Sequence, residues 1–216
     1  MRKLWIVGCS ITHGVGVDKD QSWGILVSNY LKLPSTFLTA QGSSIEWATN
    51  QILQSDIKSD DIVLWGLTSP SRYMYYADDG SLQHILNVYY KSNPHFEKII
   101  SNQRLVDNNL AFKAVNYVKQ VQNFLDKIDC QYLIGYMLPG IDDHKQILLD
   151  NLSTTKSFFV AAEFDKINNA DKNIFLKQII PNTDMFVDVG TDKIHPGPKQ
   201  HQLYAEQFIF NLQNLC

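Results

Sequence analysis

The chain has 216 residues, which is enough for one domain with a substantial core and too few for two full domains. Hydrophobic residues make up 44% and charged residues 19% of it, a balance that excludes a disordered chain. The formal net charge is -3 and no cluster of Lys and Arg is interleaved with aromatic residues, so we expect no nucleic-acid partner.

The first predicted unit is a strand, a polar turn and a helix. Residues 4–8 form a short apolar run without alternation, which is typical of a strand that is covered on both faces in a parallel sheet. Small polar residues that include Ser10 follow the run and predict a turn. Apolar residues then recur every three or four positions over residues 23–31, which predicts an amphipathic helix that ends before Pro34.

Two further strands follow in the same rhythm. Residues 37–40 predict a strand, Gly42 breaks it, and residues 45–53 have helical spacing with Ser44 as a suitable N-cap. The third strand, residues 62–67, is the clearest and ends at the breaker Thr68-Ser69-Pro70. These units predict repeated strand-loop-helix connections.

The second half of the chain departs from this rhythm and then resumes it. Residues 73–109 are rich in Tyr, Asn and Ser with weak periodicity, so we expect an insertion or lid there. A helix over residues 110–128 and a fourth strand over residues 132–137 follow. Near the end, residues 185–189 predict a short strand and residues 200–215 a terminal helix.

Strands that alternate with helices predict one α/β domain spanning residues 1–216. The expected architecture is a three-layer α/β/α sandwich with a central, mainly parallel sheet. In such sheets the chemistry lies in loops at the carboxyl ends of the strands. Those loops contain Ser10, Gly42, Thr68 and the pair Asp192 and His195.

These residue types together indicate nucleophilic catalysis. A serine hydroxyl is a weak nucleophile at neutral pH, so it needs a histidine to take its proton and a carboxylate to fix the tautomer of that histidine. Two residues separate Asp192 from His195, which lets the carboxylate fold back toward the imidazole in a turn. Backbone N–H groups of Ser10 and Gly42 are suitable donors for an oxyanion. Asp188 is a rival acid, but it falls on a predicted strand and is more in keeping with a structural role.

Three blocks of this sequence resemble those of the SGNH (GDSL) hydrolases, in the same order. The first block is similar to Gly-Asp-Ser, with Cys9 in the place of the Asp, and Gly42 resembles the second-block glycine. The blocks stand in this chain as Val7-Gly8-Cys9-Ser10 with Gly14 and Gly16, as Gly42, and as Asp192-x-x-His195-Pro196 with His201 and Ala205. The resemblance implies a flavodoxin-like fold of the SGNH type and a catalytic triad of Ser10, His195 and Asp192, with no metal or other cofactor.

The third block departs from the family pattern. The family usually has Gly-x-Asn-Asp with the Asn as an oxyanion donor, whereas this chain has Gly66-Leu67-Thr68-Ser69. The replacement donor is expected to be either the Thr68 hydroxyl or, alternatively, Ser69 or Arg72. Loss of one such donor costs about 2.7 to 4 kcal/mol of transition-state stabilisation.

The resemblance implies an acyl-ester hydrolase, acting on a small ester or an acetylated carbohydrate. His13 and Arg72 are expected at the mouth of the site. Because the third block is altered, two alternatives stay open: a binding or structural module that keeps the fold with weakened catalysis, and an acyltransferase.

The remaining sequence features indicate a simple soluble protein. The three cysteines are far apart and have no metal-binding spacing, so neither a disulfide framework nor a metal site is expected. The apolar run before Cys9 is too short for a lipoprotein signal, and no segment approaches the roughly 18 apolar residues of a membrane span. We therefore expect a cytoplasmic or otherwise soluble protein without a signal peptide. Abundant Asn, Lys, Ile and Tyr are typical of an AT-rich source such as a phage or a marine microbe.

Overall fold

A computed structural model of the chain describes residues 1–70, 72–76, 79–80, 82–85, 106–137, 147–148, 150–152, 157–159, 188–193 and 195–214. Five strands form one sheet in which each neighbouring pair is parallel. Two shorter strands, β4 (Tyr73–Tyr76) and β5 (Leu82–Ile85), pair antiparallel as a hairpin outside that sheet. The five strands of the main sheet are β1 (Leu4–Gly8), β2 (Ser35–Thr39), β3 (Ile62–Leu67), β6 (Gln131–Tyr136) and β7 (Ser157–Phe159).

The strand order of the sheet is β2-β1-β3-β6-β7. The chain therefore starts in the middle of the sheet, moves to one edge with β2, and returns past β1 to build the other side. The first reversal of direction lies at β1. In open α/β sheets, such a switch point is where loops leave a crevice for a ligand.

Helices cover both faces of the sheet. The two on one face are α3 and α4, and those on the other are α2 and α5. The helices are α1 (Ser10–His13), α2 (Trp23–Leu31), α3 (Ile45–Gln54), α4 (Val106–Lys127) and α5 (Pro198–Gln213). This arrangement confirms the predicted three-layer sandwich.

Each face of the sheet has its own hydrophobic core. Alternate residues of a strand point to opposite faces, so Trp5 and Val7 pack with α3 and α4, whereas Leu4 and Ile6 pack with α2 and α5. All four side chains are buried. On the second face Trp23 of α2 stacks on Phe208 of α5, with ring centroids 4.3 Å apart.

A buried carboxylate fastens the amino end of the sheet. Asp61 accepts hydrogen bonds from the Lys3 N–H at 2.8 Å, the Trp5 indole N–H at 2.8 Å and the Lys58 N–H at 3.0 Å. Burial alone would raise the pKa of Asp61, but these hydrogen bonds and the charge of Lys3 lower it below 3.8. The ionised form therefore stabilises this end of the fold.

Most strand predictions are confirmed, with small shifts of the ends. The predicted second strand, residues 37–40, is observed as Ser35–Thr39, and the predicted fourth, residues 132–137, as Gln131–Tyr136. The strand β7 has only three residues and was not predicted from the sequence. In the predicted final strand, residues 185–187 lie outside the described residues, while Val189 forms a single bridge to Pro196.

The predicted insertion at residues 73–109 is described in part. It contains the β4-β5 hairpin, and α4 begins at Val106 and not at residue 110 as predicted. Its role as a lid stays a prediction. Within the described part of the chain, every helix is too short or too polar to serve as a transmembrane span.

Candidate active site

The strand register brings three loops to one edge of the sheet. Gly8 at the end of β1 pairs with Thr39 of β2 on one side and with Gly66 of β3 on the other. Each of these three strands ends at its residue in this aligned row or one residue after it. The loops that carry Ser10, Gly42 and Thr68 therefore leave the sheet side by side.

Ser10 is the first residue of the one-turn helix α1. Its side chain is 5% exposed, and the turn closes at Gly14, which has a φ of 83°. As the first helical residue, Ser10 carries a backbone N–H that has no acceptor within the helix. Among the described residues this N–H has no hydrogen-bond acceptor, so it is available to a ligand.

Thr12 fits α1 tightly against the strand ends. Its side chain is fully buried over the backbone of Gly8 and Gly66. A Cβ at Gly66 would meet Met137 Sδ and lie 2.6 Å from Thr12 Oγ1, so a larger residue would displace these side chains. The glycine of the third block thus supports the turn that holds Ser10.

Cys9 replaces the family's Asp in a position that faces the core. Its thiol group lies in the apolar cluster with Trp23 and Tyr204 and is 1% exposed. An apolar thiol suits that environment better than a carboxylate, because a buried carboxylate requires hydrogen-bond donors.

Asp192 and His195 are joined in a tight turn. The Asp192 carboxylate lies 2.6 Å from His195 Nδ1 through one oxygen and accepts the His195 backbone N–H at 3.0 Å through the other. Between them Lys193 adopts a left-handed φ of 60°. The loop is closed by the Gly190 N–H, which donates to the His195 carbonyl at 2.7 Å. The carboxylate therefore fixes the imidazole orientation and leaves Nε2 for another partner.

Gly16 joins the Ser10 loop to this turn. Its carbonyl accepts hydrogen bonds from the Thr191 N–H at 2.8 Å and the Thr191 hydroxyl at 3.2 Å. Gly16 has a φ of 91°, and a Cβ on it would lie 3.0 Å from Asp192 Oδ1 and 3.2 Å from His195 Cβ. Sequence reasoning gave this residue no role, although its place in the first block was the available signal.

The described residues Ser10 and His195 are not hydrogen-bonded to each other, although the Asp192 bond occupies only Nδ1 of the imidazole. Their loops meet at Gly16. Catalytic hydrogen bonds are often long without substrate and tighten when it binds.

The predicted oxyanion donors occupy the two adjoining loops. Gly42 has a φ of 73°, and its loop is tied to β1 because the Ser43 hydroxyl donates to the Gly8 carbonyl at 3.2 Å. Thr68 is 3% exposed, and its hydroxyl has no hydrogen-bond partner among the described residues. Ser69 is half-buried and accepts the Arg72 N–H at 3.2 Å through its carbonyl.

The two predicted mouth residues lie to the sides. His13 is exposed, and its Nδ1 lies 2.9 Å from the hydroxyl of Thr39 at the end of β2. Arg72 lines a small pocket between α3 and α4.

Asp188 has a structural position. Its carboxylate accepts the Lys199 N–H at 3.0 Å and the Gln200 N–H at 2.8 Å, which satisfies the first turn of α5. The loop that begins at Asp188 and carries His195 is thereby attached to the helix that follows it.

His201 is a buried histidine beside this site that sequence reasoning placed only in the last block. It is fully buried and its Nδ1 accepts the Trp23 N–H at 3.2 Å. Burial lowers the pKa of His201 to about 4, the carboxylate of Asp188 opposes this, and the charge of His195 adds to it. His201 therefore stays neutral near pH 7.

Comparison with known proteins bears on the fold. No protein-family model matches the sequence, and a search of curated proteins finds no significant match. Solved structures do match over the whole chain. A psychrotrophic esterase, EstA, from Pseudoalteromonas sp. has a TM-score of 0.51 at 11% identity, with 100% of this chain and 98% of that chain covered. A protein of the G-D-S-L family from Desulfitobacterium hafniense has a TM-score of 0.53 at 11% identity, with 98% of this chain and 99% of that chain covered.

The chain has the fold of the SGNH (GDSL) hydrolases. A third structure with this fold is a carbohydrate esterase family 2 enzyme with a carbohydrate binding domain, from Corynascus thermopiles (Myceliophthora fergusii). Its TM-score is 0.55 at 15% identity, and the match covers 99% of this chain and 66% of that chain. Esterases therefore recur among the structures with the SGNH fold that this chain resembles.

Proposed function

We propose that this protein is an ester hydrolase with Ser10 as its nucleophile, His195 as its base and Asp192 as the residue that orients the base. One observation carries the proposal: the Asp192–His195 hydrogen bond of 2.6 Å lies in a turn that packs on Gly16 of the Ser10 loop. A turn needs only the bond from the His195 N–H to the Asp192 carboxylate, so the further bond to His195 Nδ1 is the part that supports a catalytic role. The combination matches the chemistry of acyl transfer.

The proposed reaction has two halves. The Ser10 Oγ forms a bond to the ester carbonyl carbon as its proton moves to His195 Nε2, and the carbonyl oxygen becomes an oxyanion. Collapse of this intermediate breaks the bond to the alcohol oxygen, which takes the proton back from His195. Water then attacks the acyl-enzyme with His195 again as base, and the acid leaves as Ser10 regains its proton. Asp192 holds the Nδ1–H throughout.

Three donors are proposed for the oxyanion: the N–H groups of Ser10 and Gly42 and the hydroxyl of Thr68. The support for Thr68 is its buried hydroxyl, which lacks a partner among the described residues. Buried polar groups without partners are uncommon in native proteins, and a catalytic role is one explanation for them. An oxyanion would supply the missing acceptor, so Thr68 would take the place of the Asn in the third block.

The proposed substrates are small esters or acetylated carbohydrates. Support for the second class comes from the carbohydrate esterase with the same fold. Access for such substrates is supported by the exposure of the proposed pair, since the Asp192 and His195 side chains are 32% and 23% exposed.

Turnover of p-nitrophenyl acetate tests the proposal. The wild-type protein is expected to release p-nitrophenol, and Ser10→Ala to reduce release to the level of buffer. The control is Ser28→Ala, which removes a serine hydroxyl from α2 that donates to the Leu33 carbonyl at 2.9 Å. Unchanged turnover in Ser10→Ala would refute the assignment of the nucleophile.

A non-catalytic binding module is the second candidate. It is favoured by the Thr68 substitution and by the absence of a hydrogen bond between the described residues Ser10 and His195. A folded protein whose Ser10 does not react with a fluorophosphonate probe, yet which binds acetylated sugars, would support this candidate over the hydrolase.

A further inference from the structure

The turn that runs from Gly190 to His195, here called the base turn, is closed by backbone hydrogen bonds. The Lys193 N–H donates to the Gly190 carbonyl at 3.0 Å, and the Gly190 N–H donates to the His195 carbonyl at 2.7 Å. Val189 and Pro196 extend this pairing by one antiparallel bridge. The chain therefore reverses direction within the base turn, and the backbone of the turn sets the place of the imidazole.

Lys193 allows this reversal because its backbone is left-handed. Its φ is 60°, in a region that residues other than glycine occupy at a cost and that β-branched residues very rarely occupy. One left-handed residue after a tight turn lets a chain fold back on itself. A right-handed residue at this position would carry the chain onward as a helical turn, away from Gly190.

Both bonds of the Asp192 carboxylate depend on this return of the chain. One oxygen accepts the His195 N–H at 3.0 Å, and the other lies 2.6 Å from His195 Nδ1. Both contacts span only three positions, so the direction of the chain at Lys193 decides whether the backbone and the ring of His195 reach the same carboxylate. The side chain of Lys193 is exposed, and we therefore attribute this effect to its backbone.

Gly190 fits the base turn against the loop that carries Ser10. A Cβ on Gly190 would meet the Gly16 carbonyl oxygen and lie 2.8 Å from the carbonyl carbon and 2.9 Å from the Cα of Gly16. These are backbone atoms, which cannot rotate aside as the end of a side chain can. The same carbonyl accepts the Thr191 N–H at 2.8 Å, so the two loops are also bonded at this point. A larger residue at position 190 would push the base turn away from the Ser10 loop.

We propose that Lys193 and Gly190 are positioning residues of the proposed active site. The left-handed backbone of Lys193 orients the His195 imidazole on Asp192. Gly190 sets the separation between that imidazole and Ser10. The inference rests on the proposed function, because it names what places the base of that reaction.

Two substitutions of Lys193 test its role through turnover of p-nitrophenyl acetate. Lys193→Gly should keep kcat within about twofold of the wild type, because glycine occupies the left-handed region without steric cost. Lys193→Val should lower kcat about tenfold with little change in KM, because a β-branched residue disfavours a φ of 60°.

Lys32→Val is the matched control. Lys32 is also exposed and has a φ of 54°, but it follows α2 at the amino end of the sheet, away from the base turn. Its substitution carries the same kind of backbone cost and should leave kcat unchanged.

Proton NMR of histidine-labelled protein reports the geometry of the pair without turnover. The Nδ1–H of His195 should give a low-field signal because it donates to the Asp192 carboxylate, and the signal is identified by its absence from His195→Ala. Lys193→Gly should keep this signal and Lys193→Val should lose it. Gly190→Ala should keep it, because the base turn moves as a unit, while kcat should fall about tenfold or more as the imidazole moves away from Ser10.

A kcat and an NMR signal in Lys193→Val equal to those of the wild type would overturn the role of Lys193. An equal loss in Lys193→Gly would also overturn it, because the side chain and not the backbone would then act, and so would an equal loss of kcat in Lys32→Val. Unchanged kcat in Gly190→Ala would overturn the role of Gly190. A wild-type protein without turnover would contradict the proposed function and with it the role of Gly190, whereas the NMR signal would still decide the role of Lys193, so the two failures are distinguishable.

Discussion

The buried His201 predicts a strong acid sensitivity of the fold. The pKa of its imidazole is 6.5 in the unfolded chain and about 4 in the folded one, so the unfolded state binds a proton first as the pH falls. The contribution of the neutral His201 to the free energy of unfolding is fully present above pH 6.5 and is lost as the pH falls toward 4. Since one pKa unit corresponds to about 1.4 kcal/mol, the free energy of unfolding should fall by about 3 kcal/mol between pH 7 and pH 4 from this group alone.

Urea unfolding at pH 7, 5.5 and 4 measures this effect. In His201→Asn the amide oxygen can still accept the Trp23 N–H, but the side chain no longer titrates. Between pH 7 and pH 4, the free energy of unfolding of this variant should fall by about 3 kcal/mol less than that of the wild type. The matched control is His13→Asn, which removes an exposed histidine from the loop end of the sheet. If His201→Asn has the same pH dependence as the wild type, the burial argument for His201 is refuted.

Three further predictions concern the oxyanion donor, the loop junction and the buried carboxylate. Thr68→Val should lower kcat for p-nitrophenyl acetate about 100-fold or more while Thr68→Ser keeps most of it, since only the serine retains the hydroxyl; equal rates in the two variants would exclude Thr68 as a donor. Gly16→Ala should lower kcat/KM about tenfold or more, because a φ of 91° and a Cβ 3.0 Å from Asp192 Oδ1 displace the catalytic pair; an unaltered rate would show that the junction does not position His195. Asp61→Ala should cost about 3 kcal/mol in urea unfolding at pH 7 by leaving three donors unpaired. Because the pKa of Asp61 is lowered below 3.8, the stabilisation by its carboxylate is present above that pH and is lost as the pH falls through the lower native pKa. If the difference in free energy of unfolding between the wild type and Asp61→Ala does not decrease below pH 4, this reading is contradicted.

The sequence predicts best where burial fixes the pattern. Strands β1 and β3 are apolar on both faces, and each is buried along its length. The helix α3 has a side-chain cap at Ser44 that the sequence indicates and the structure contains. These elements carry their signals locally, so periodicity and capping are sufficient to find them.

Other features depend on contacts between distant residues. The three-residue strand β7 is too short to have a periodic pattern, and its pairing with β6 defines it. The contacts of Gly16 with Asp192 join residues 176 positions apart, and those of Trp23 with His201 join residues 178 positions apart. Residue types correctly indicated Asp192 and His195 as neighbours, because a spacing of three positions in one turn decides that contact. The same types gave no sign that Arg72 would face a separate pocket.

The most direct test of the central claim is the reaction of Ser10 with a fluorophosphonate, followed by mass spectrometry of the modified peptide. We predict one adduct, on Ser10, that forms in the wild type and is lost in Ser10→Ala. His195→Ala should slow its formation at least about 100-fold, because the serine then lacks its base. Absence of the adduct from the folded wild-type protein, or an equal labelling rate in His195→Ala, would contradict the proposal that His195 activates Ser10.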